Sequence, residues 1–473
     1  MRIAFRKTIF LHPALVFALL LAGCCLAPGL PEDPGGLKEA DFKPISLNGF
    51  DPEDNAVDIN DYAWSMEHFV PDGQDHGYVY VGTGNDMIGL VYQAIGGFVS
   101  TEETVEVTFR PPEIRRYRED VFPFAWERVF DYRNVTAEAE LQTFGFRHMR
   151  AYRAQSDGIN YLYAGTAGEV VEIWRTVTGE PNSWKLVWST EAVSSVRSMA
   201  EHNGILYVAL TDDFADDEQL GAIWATDGDG FWPVIEDGFG NPDNIGVACL
   251  ASFGGYLVAG TMNVETGYEI WKLEGPDSNG GPIKIVDNGG PSPTNEIAGT
   301  MLAFQGKLYI GGMLNPVANI TSGFRAADLI RVDENDNWET VVGPDSISGY
   351  GPGFDHWPNT YFWSMAIHEN WFYCATYDQV SPFFNVLENL PEMVKVLWAN
   401  ARRANIIERI GDAGADLYKT QDGITWYRVT IDGFGDVGNY GFRVMKSVGD
   451  SLYIGTANPF DGLEIWRGRE SEH

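Results

Sequence analysis

Three arginines and two tryptophans occupy one position of a pattern that recurs along the 473-residue chain, two residues before a methionine or leucine. The seven residues at this position are Trp64, Arg147, Arg197, Ala248, Gly299, Trp363 and Arg443. A guanidinium group binds carboxylate, sulfate or phosphate through paired hydrogen bonds, and an indole ring offers a flat surface to a sugar or another ring. The pattern therefore predicts a ligand-binding site whose candidate residues are Trp64, Arg147, Arg197, Trp363 and Arg443.

A structural role for these arginines is the alternative. The chain has 67 acidic and 32 basic side chains, so each arginine has acidic groups available for an ion pair between repeat units. The sequence leaves both interpretations open. His148 follows Arg147, and because side chains alternate along a strand we expect it on the opposite side, buried rather than catalytic.

The elements that would position the five residues repeat seven times. A strand of the LYVGT type occurs at 79–83, 162–166, 206–210, 257–261, 308–312, 372–376 and 452–456. A third strand follows it, as in EIWRT at 172–176, and a fourth begins near a tryptophan, as in WKLVW at 184–188. Four antiparallel strands per repeat are typical of a β-propeller.

The sequence therefore predicts an all-β fold: a seven-bladed β-propeller over residues 42–467, closed by the N-terminal strand, with a helical insertion in blade six. The last repeat lacks its fourth strand, and residues 42–47 match the strand that begins at Trp426, so we expect them to complete it. Insertions are predicted at 97–125, on the face opposite the ring, and at 377–413, where apolar residues recur at helical spacing. Residues 468–473 are a predicted tail.

The first residues resemble the lipobox signal of bacterial lipoproteins. A basic start is followed by an apolar run and by Leu21-Ala22-Gly23-Cys24. The run is shorter than the roughly 20 residues that a spanning helix needs, which argues against a simple membrane anchor. The resemblance implies a signal peptide at 1–23, a lipidated Cys24 and a tether over 24–41, and hence an exported lipoprotein of the outer membrane or cell surface, on the periplasmic or extracellular side.

The charge excludes several partners. The formal charge of −35 becomes −38 when Arg2, Arg6 and Lys7 leave with the signal, so binding to nucleic acid is excluded, and the membrane is reached through the lipid anchor only. No nucleotide fingerprint and no close histidine pair for zinc are present, so no catalytic residue is assigned.

Cys249 and Cys374 lie in different repeats, and we expect both to be buried and unbridged.

No cofactor is expected, although the sequence leaves a Ca²⁺ site open. The acidic loop TDDFADDE at 211–218 supplies the candidate oxygen ligands Asp212, Asp213, Asp216 and Asp217. The run DENDNW at 333–338 has the ligand types of an EF-hand but places Trp338 where the sharp turn requires glycine. An EF-hand is therefore rejected.

Two motifs resemble known propeller families. The loops DGFGNPDN at 237–244 and DGFGDVGN at 432–439 are similar to those of exported bacterial and archaeal β-propeller lipoproteins. KTQDGITW at 419–426 is more distantly similar to the Asp-box turn of BNR-type propellers such as sialidases, in which the carboxylate caps a tight turn. Both resemblances imply a fold rather than a reaction.

Two functions of different classes remain open. The first is a lipid-anchored extracytoplasmic propeller that binds a protein partner or an anionic or glycan ligand through its decorated face, without catalysis. The second is a hydrolase or lyase that acts on an extracellular anionic saccharide, with the ring of arginines holding the carboxylate.

Overall fold

The computed structural model describes residues 33–46, 48–50, 60–85, 110–119, 125–135, 143–211, 221–274, 281–315, 325–381 and 413–470. Within these ranges 28 strands form one antiparallel sheet, accompanied by a few single-turn 3-10 helices. None of the described helices is long and apolar enough to cross a membrane.

The strands fall into four sets according to their distance from the centre of the sheet. The innermost are β2 (Tyr62–Phe69), β6 (Thr143–Arg153), β10 (Ser195–His202), β14 (Gly246–Phe253), β18 (Ile297–Phe304), β22 (Asn359–His368) and β26 (Gly441–Val448). The second set is β3 (Tyr78–Gly84), β7 (Asn160–Gly168), β11 (Ile205–Thr211), β15 (Tyr256–Met262), β19 (Lys307–Met313), β23 (Trp371–Asp378) and β27 (Ser451–Ala457). The third set is β4 (Glu113–Tyr117), β8 (Val171–Thr176), β12 (Ala222–Thr226), β16 (Ile270–Leu273), β20 (Leu329–Asp333), β24 (Leu417–Thr420) and β28 (Ile465–Gly468). The outermost are β5 (Trp126–Asp131), β9 (Lys185–Thr190), β13 (Phe231–Ile235), β17 (Ile283–Val286), β21 (Trp338–Val342), β25 (Tyr427–Thr430) and β1 (Phe42–Ser46).

Neighbouring four-stranded units are joined at their inner strands. β3 pairs with β6 through Gly84 and Gly145. Equivalent pairings join β7 to β10, β11 to β14, β15 to β18, β19 to β22, β23 to β26 and β27 to β2. Fourteen inner strands thus form one closed ring that carries the outer strands on its outside. A ring of this kind is a propeller-type architecture.

The predicted seven-bladed propeller with a helical insertion in blade six is wrong as a description of this sheet. Backbone pairing crosses the unit boundaries, so the fourteen inner strands are one continuous ring rather than the inner edges of separate blades. Among the described residues, α-helical conformation is confined to Val380 and Ser381, and no helix is found in the ring. The apolar spacing that suggested the helix falls within 382–412, which lies outside them.

Closure by the N-terminal strand is confirmed. β1 runs antiparallel to β28, with Phe42 opposite Gly468 and Pro44 opposite Trp466. Phe42 is buried, and its ring centre lies 4.9 Å from that of Phe434. The first described strand is therefore the outermost strand of the last unit, and it covers the edge that β28 would otherwise present to solvent.

The predicted insertion at 97–125 contains a strand of the sheet. Glu113–Tyr117 pairs with β3 on one side and β5 on the other. Gly84 and Glu113, the end of a second strand and the start of a third, both lie at the end of the ring where the inner strands begin. The expectation that the insertion lay on the opposite face is wrong, because the third strand occurs later in the chain than the sequence pattern suggested.

Part of the predicted tether is folded against the sheet. Leu37 is 1% exposed, and its backbone N–H donates to the hydroxyl of Tyr373 at 3.0 Å. The buried Lys419 ammonium donates to the carbonyl oxygen of Leu37 and to Asp33 Oδ2, both at 2.9 Å. Residues 33–41 thus form a strap on the unit that contains β23 and β24.

The Asp-box-like turn is confirmed as a structural element. Asp422 Oδ1 accepts hydrogen bonds from the backbone N–H groups of Ile424 at 2.8 Å and Thr425 at 2.7 Å. Gly423 has φ +71, and a Cβ there would lie 1.7 Å from the hydroxyl of Tyr309 in the neighbouring unit. The turn therefore needs glycine both for its backbone conformation and for its contact with the next unit.

Candidate functional site

Each inner strand departs from regular pairing at one equivalent position, and β6 and β22 have a second shift nearer their start. At the equivalent position the register with the second strand shifts, so that one residue of the inner strand has no residue opposite it. These extra residues are Trp64, Arg147, Arg197, Ala248, Gly299, Trp363 and Arg443. A β-bulge bends its strand and redirects the side chain of the extra residue. The position that the repeat aligned in the sequence is therefore a ring of bulges in the structure.

All seven bulge residues line one cavity of about 290 Å³ that is enclosed by the inner strands. The five candidate residues of the sequence pattern, Trp64, Arg147, Arg197, Trp363 and Arg443, are thus brought together from five different units. Arg147 is buried, and Arg197 and Arg443 are half-buried. Three guanidinium groups consequently share one partly desolvated space, where charge interacts more strongly than at the surface.

A belt of hydrogen bonds between units fixes the bulges. Ser65, directly after the bulge residue Trp64, donates from Oγ to the carbonyl oxygen of Phe146 at 2.6 Å. Ser364 donates in the same way to Phe442 at 2.7 Å. Both acceptors directly precede a bulge arginine of the next unit. Each of these bonds therefore holds a bulge in place from the neighbouring strand.

Trp64 supports Arg147. The guanidinium carbon of Arg147 lies 4.8 Å from the centre of the indole ring. Gly84 and Gly145 flank the other side of that ring, because a Cβ on either would lie within 2.5 Å of indole atoms. Trp64 is only 4% exposed. Its ring therefore orients the arginine by a cation–π contact and leaves little surface for a sugar.

Trp363 supports Arg443 in the same manner. The guanidinium carbon lies 5.3 Å from the ring centre. A Cβ on Gly441 would lie 2.0 Å from the indole, so this close approach also requires glycine. The two tryptophans thus set the directions of two of the three arginines.

Tyrosines crowd the start of the inner strands beside this ring. The hydroxyls of Tyr62 and Tyr440 are hydrogen-bonded to each other, and the rings of Tyr361 and Tyr377 stack at 4.4 Å. Burial raises the pKa of Tyr361, while Arg197 and Arg147 act to lower it. The phenol therefore stays protonated at neutral pH, and it lies within electrostatic reach of two ring arginines.

Methionines form the next level of the cavity wall. Of the 11 methionines in the chain, seven line the cavity: six follow the ring on the inner strands, namely Met66, Met149, Met199, Met301, Met365 and Met445, and Met313 of β19 lies beside Gly299. Met301, Met365 and Met445 are half-buried and so reach the open space. Thioether side chains are apolar and flexible, and they adapt to the shape of a bound group. This level suits the apolar part of a ligand.

A second cationic level follows the methionines. Arg150 and Lys446 also line the cavity, and Lys446 forms an ion pair with Glu67. Burial lowers the pKa of His148 to about 3, and the charges of Arg150, Arg443 and Lys446 add to that effect. His148 is therefore neutral at physiological pH.

His148 and the second cationic level were not anticipated by the sequence reasoning. The expectation that His148 faces away from Arg147 is wrong, because the bulge interrupts the alternation of side chains and both residues line the cavity. Arg150 and Lys446 stand three residues after the ring arginines Arg147 and Arg443. That shared spacing was the available signal for the second level.

Glu296 is the unusual acid at this end of the ring. Burial raises the pKa of its carboxyl to about 7, and its charge acts on Tyr361. Its Oε2 atom is buried without a hydrogen-bond partner among the described residues. A carboxyl whose pKa burial raises to about 7, within electrostatic reach of Tyr361, is chemically suited to proton transfer.

The DGFG loops have a different role from the cavity. Asn439, the last residue of DGFGDVGN, donates from Nδ2 to the carbonyl oxygen of Gly433 at 3.1 Å and to Glu464 Oε2 at 2.6 Å. Trp466 donates from its indole N–H to the same carboxylate oxygen at 2.8 Å. Phe434, with φ 62, stacks on Trp466 at 4.6 Å. The loop and the EIW-type strand are thus locked together, and we call this arrangement a clip.

The same clip recurs around the ring. Buried asparagines bind a loop carbonyl and an acidic residue at the start of a third strand in five units, at Asn60, Asn244, Asn295, Asn359 and Asn439. All five asparagines are fully buried. The motifs that are most conspicuous in the sequence therefore hold the units in shape.

Several predicted sites lie elsewhere. The Ca²⁺ candidates Asp212, Asp213, Asp216 and Asp217 and the lipidation site Cys24 lie outside the described residues. No cluster of metal ligands occurs in the part of the chain that the structure describes. Asp333 Oδ1 accepts from the N–H groups of Asn335 and Asn337, so this carboxylate closes its own turn. Cys249 and Cys374 are buried free thiols.

Comparison with known proteins gives structural likenesses alone, since no family model and no curated protein matches the chain. The chain is similar to the WD40 β-propeller domain of Doa1, with a TM-score of 0.45 and 9% identity over 91% of this chain and 98% of that chain. It is also similar to a prolyl endopeptidase, with a TM-score of 0.41 and 10% identity over 86% of this chain. The match spans 50% of the endopeptidase. By its own strand pairings, the molecule is a β-propeller with an arginine-lined central cavity.

Proposed function

We propose that this protein is a lipid-anchored, extracytoplasmic β-propeller that binds a small anionic ligand in its central cavity without catalysing a reaction. The observation that carries the proposal is the convergence of Arg147, Arg197 and Arg443 on one cavity, each from a bulge in a different strand. A guanidinium group favours carboxylate, sulfate or phosphate, and its affinity for them rises where water is partly excluded.

The positive charge of the cavity contrasts with the negative charge of the whole protein. The chain carries a net charge of −35, yet the described residues that line the cavity include five arginines and lysines and the single acid Glu67. A cationic pocket in an acidic protein attracts anions only at short range, since the outer surface repels them. We therefore expect a ligand that is held by close contacts rather than by long-range steering.

The size of the cavity favours a small molecule over a polymer. Its volume of about 290 Å³ is at the lower end of the range for small-ligand pockets. The glycan expected from the sequence would have to be a short acidic unit rather than a chain. The tryptophans add little sugar-binding surface, because Trp64 is packed between glycines and Arg147.

Calorimetric titration of the purified protein with acetate, phosphate, sulfate, glucuronate and suberate at low ionic strength tests the proposal. We expect at least one of these anions to bind, and Arg197→Ala to weaken that binding at least about tenfold, or about 1.4 kcal/mol. Arg153→Ala is the matched control, because Arg153 lies on β6 with an exposed side chain that pairs with Asp72. Absence of binding by the whole set, or equal losses in both variants, contradicts the proposal.

Glu296 favours a second candidate function, a hydrolase or lyase acting on an anionic saccharide. In that case the carboxyl of Glu296, with its pKa near 7, would transfer a proton while the arginines hold the carboxylate of the substrate. Incubation with oligosaccharides of uronic acids distinguishes the two functions. Product formation that is lost in Glu296→Gln would support the enzyme, and no product with retained binding would support the binding protein.

The lipid anchor rests on the sequence, and the strap adds a geometric consequence. Cys24 precedes the strap residue Asp33 by nine residues, which span at most roughly 30 Å when extended. An anchored propeller would therefore be held with the rim around β23 and β24 close to the bilayer. Cys24→Ala should move the folded protein from the membrane fraction to the soluble fraction, and a variant that stays in the membrane fraction contradicts the anchor.

A further inference from the structure

We infer that the ligand of the central cavity carries an anionic group at each end and an apolar segment between them, as in an α,ω-dicarboxylate. The inference rests on the proposed function and specifies its ligand. It follows from the order of side chains along the inner strands, where a cationic level, an apolar level and a second cationic level succeed one another.

The two cationic levels belong to the same strands. On β6, Arg147 and Arg150 both line the cavity, and on β26, Arg443 and Lys446 do so. Each pair is separated by three residues, one of them at a bulge, so the two levels are roughly 7–10 Å apart along the strand. A ligand with a single anionic group can reach only one of them.

Both levels act on the same interior space. His148 lies between Arg147 and Arg150 in sequence and lines the cavity with them. Burial is the main reason that the pKa of its imidazole falls to about 3, and the positive charges of Arg150, Arg443 and Lys446 contribute to the same fall. Arg443 belongs to the first level, and the other two cations belong to the second. The two levels therefore face a common centre.

The space between the levels is lined by thioether groups, together with hydroxyl side chains such as Ser198 and Thr300 and the neutral His148. Met301, Met365 and Met445 are half-buried there and come from three different strands. A polymethylene or ring segment would bury apolar surface against them. The hydroxyl groups of a sugar acid would instead meet thioethers and lose their hydrogen bonds to water, which is unfavourable. The thioethers of the middle level thus favour an apolar segment in the ligand.

The described lining residues supply few acidic partners for the second cationic level. Among the described lining residues the single carboxylate is Glu67, which is paired with Lys446. The buried Nε of Arg150 has no hydrogen-bond partner among the described residues. Arg150 is accordingly the residue to which we assign the second anionic group of the ligand.

Calorimetric titration of the detergent-solubilised full chain with adipate, suberate and sebacate, and with monocarboxylates of the same carbon numbers, tests the inference. We expect at least one dicarboxylate to bind at least about tenfold more tightly than its monocarboxylate counterpart. Arg150→Gln should reduce the ratio of dicarboxylate affinity to monocarboxylate affinity toward one, and Arg150→Lys should restore part of this preference. Arg153→Gln, on the same strand but paired with Asp72 outside the cavity, should leave the preference unchanged.

The outcomes separate the inference from the proposed function. Equal binding of mono- and dicarboxylates, or tighter binding of glucuronate than of suberate, overturns the inference and leaves the anion-binding function intact. Failure of every anion to bind overturns both. Circular dichroism checks that Arg150→Gln is folded. If it is not, Arg150→Met, which keeps much of the apolar stem without the charge, provides the same comparison, and an unchanged preference in that variant also counts against the inference.

Discussion

The clips at the rim and the cavity at the centre use the same repeat for different purposes. At the clips the same residue types recur around the ring. An asparagine side chain donates hydrogen bonds to a glycine carbonyl and to an acidic residue, as Asn439 does to Gly433 and Glu464. At the bulge position the residue types differ from unit to unit, from Gly299 to Arg443. Repetition within the chain therefore marks what every unit needs for its fold, whereas variation at a repeated position marks what the assembled ring can do with a ligand.

Removal of the closing strand should have the largest effect on the structural side of this comparison. Deletion of residues 42–46 removes β1, exposes the edge of β28 and uncovers Phe434. We expect aggregation or loss of the cooperative thermal transition. Deletion of 26–32 removes none of these contacts and is the control. Equal melting temperatures for the two truncations would show that closure by β1 is dispensable.

Removal of one clip should destabilise the fold less than removal of β1, but the loss of stability should still be large. Asn439→Ala leaves the buried carbonyl of Gly433 without this amide donor and removes one hydrogen bond to Glu464. We expect the free energy of unfolding to fall by about 2–4 kcal/mol. Asn335→Ala, at an exposed turn, should change it by less than about 0.5 kcal/mol. Denaturant titration measures both, and similar values would argue against a structural role for the clips.

Acidic groups with raised pKa values make stability depend on pH. The pKa is raised by burial to about 7 for Glu296 and to about 6 for Asp328 and Asp378. Because the folded pKa exceeds the unfolded one, the stabilisation is present at low pH and is lost as pH rises through about 6–7. These three carboxyls therefore contribute less stability at pH 8 than at pH 5.5, whereas the lowered pKa of His148 acts in the opposite direction below about pH 6.5, so the carboxyl contribution is measured on single-site variants.

Glu296→Gln sharpens this prediction. The amide cannot ionise, so the variant should be more stable than the parent at pH 8 by roughly 1–2 kcal/mol, after allowance for partial exposure, and little changed at pH 5.5. The exposed Glu265→Gln is the control and should shift neither value. A Glu296→Gln variant that loses stability equally at both pH values would show that the side chain acts through packing or hydrogen bonding instead.

The sequence predicted the ring residues but not what surrounds them. Aligning the repeats on their methionines was sufficient to group Arg147, Arg197 and Arg443, because every unit has its bulge at the same place. Strand alternation failed for His148, since the bulge resets the side on which the following residues lie. Arg150 was missed for the same reason.

The outer parts of the fold show a second limit of the sequence. Closure by residues 42–46 was predictable because the last repeat lacked a strand that the N-terminal segment matched. The position of β4 was not, since EIRRY has no tryptophan at the position that marks the EIW strands. The clip role of the DGFG loops depends on the contact between Phe434, a loop residue, and Trp466 of β28, which no local pattern reveals.

Paired measurements of stability and affinity on Arg443→Ala test the central claim most directly. We expect this variant to melt within a few degrees of the parent, because Arg443 is half-buried and the contacts that it loses include only one cation–π contact, that with Trp363, while its affinity for the bound anion falls at least about tenfold. Asn439→Ala should show the reverse, with a much lower melting temperature and near-normal affinity in the folded fraction. If Arg443→Ala instead unfolds as readily as Asn439→Ala and binds the anion normally when folded, the arginine ring is structural and the proposed binding site is wrong.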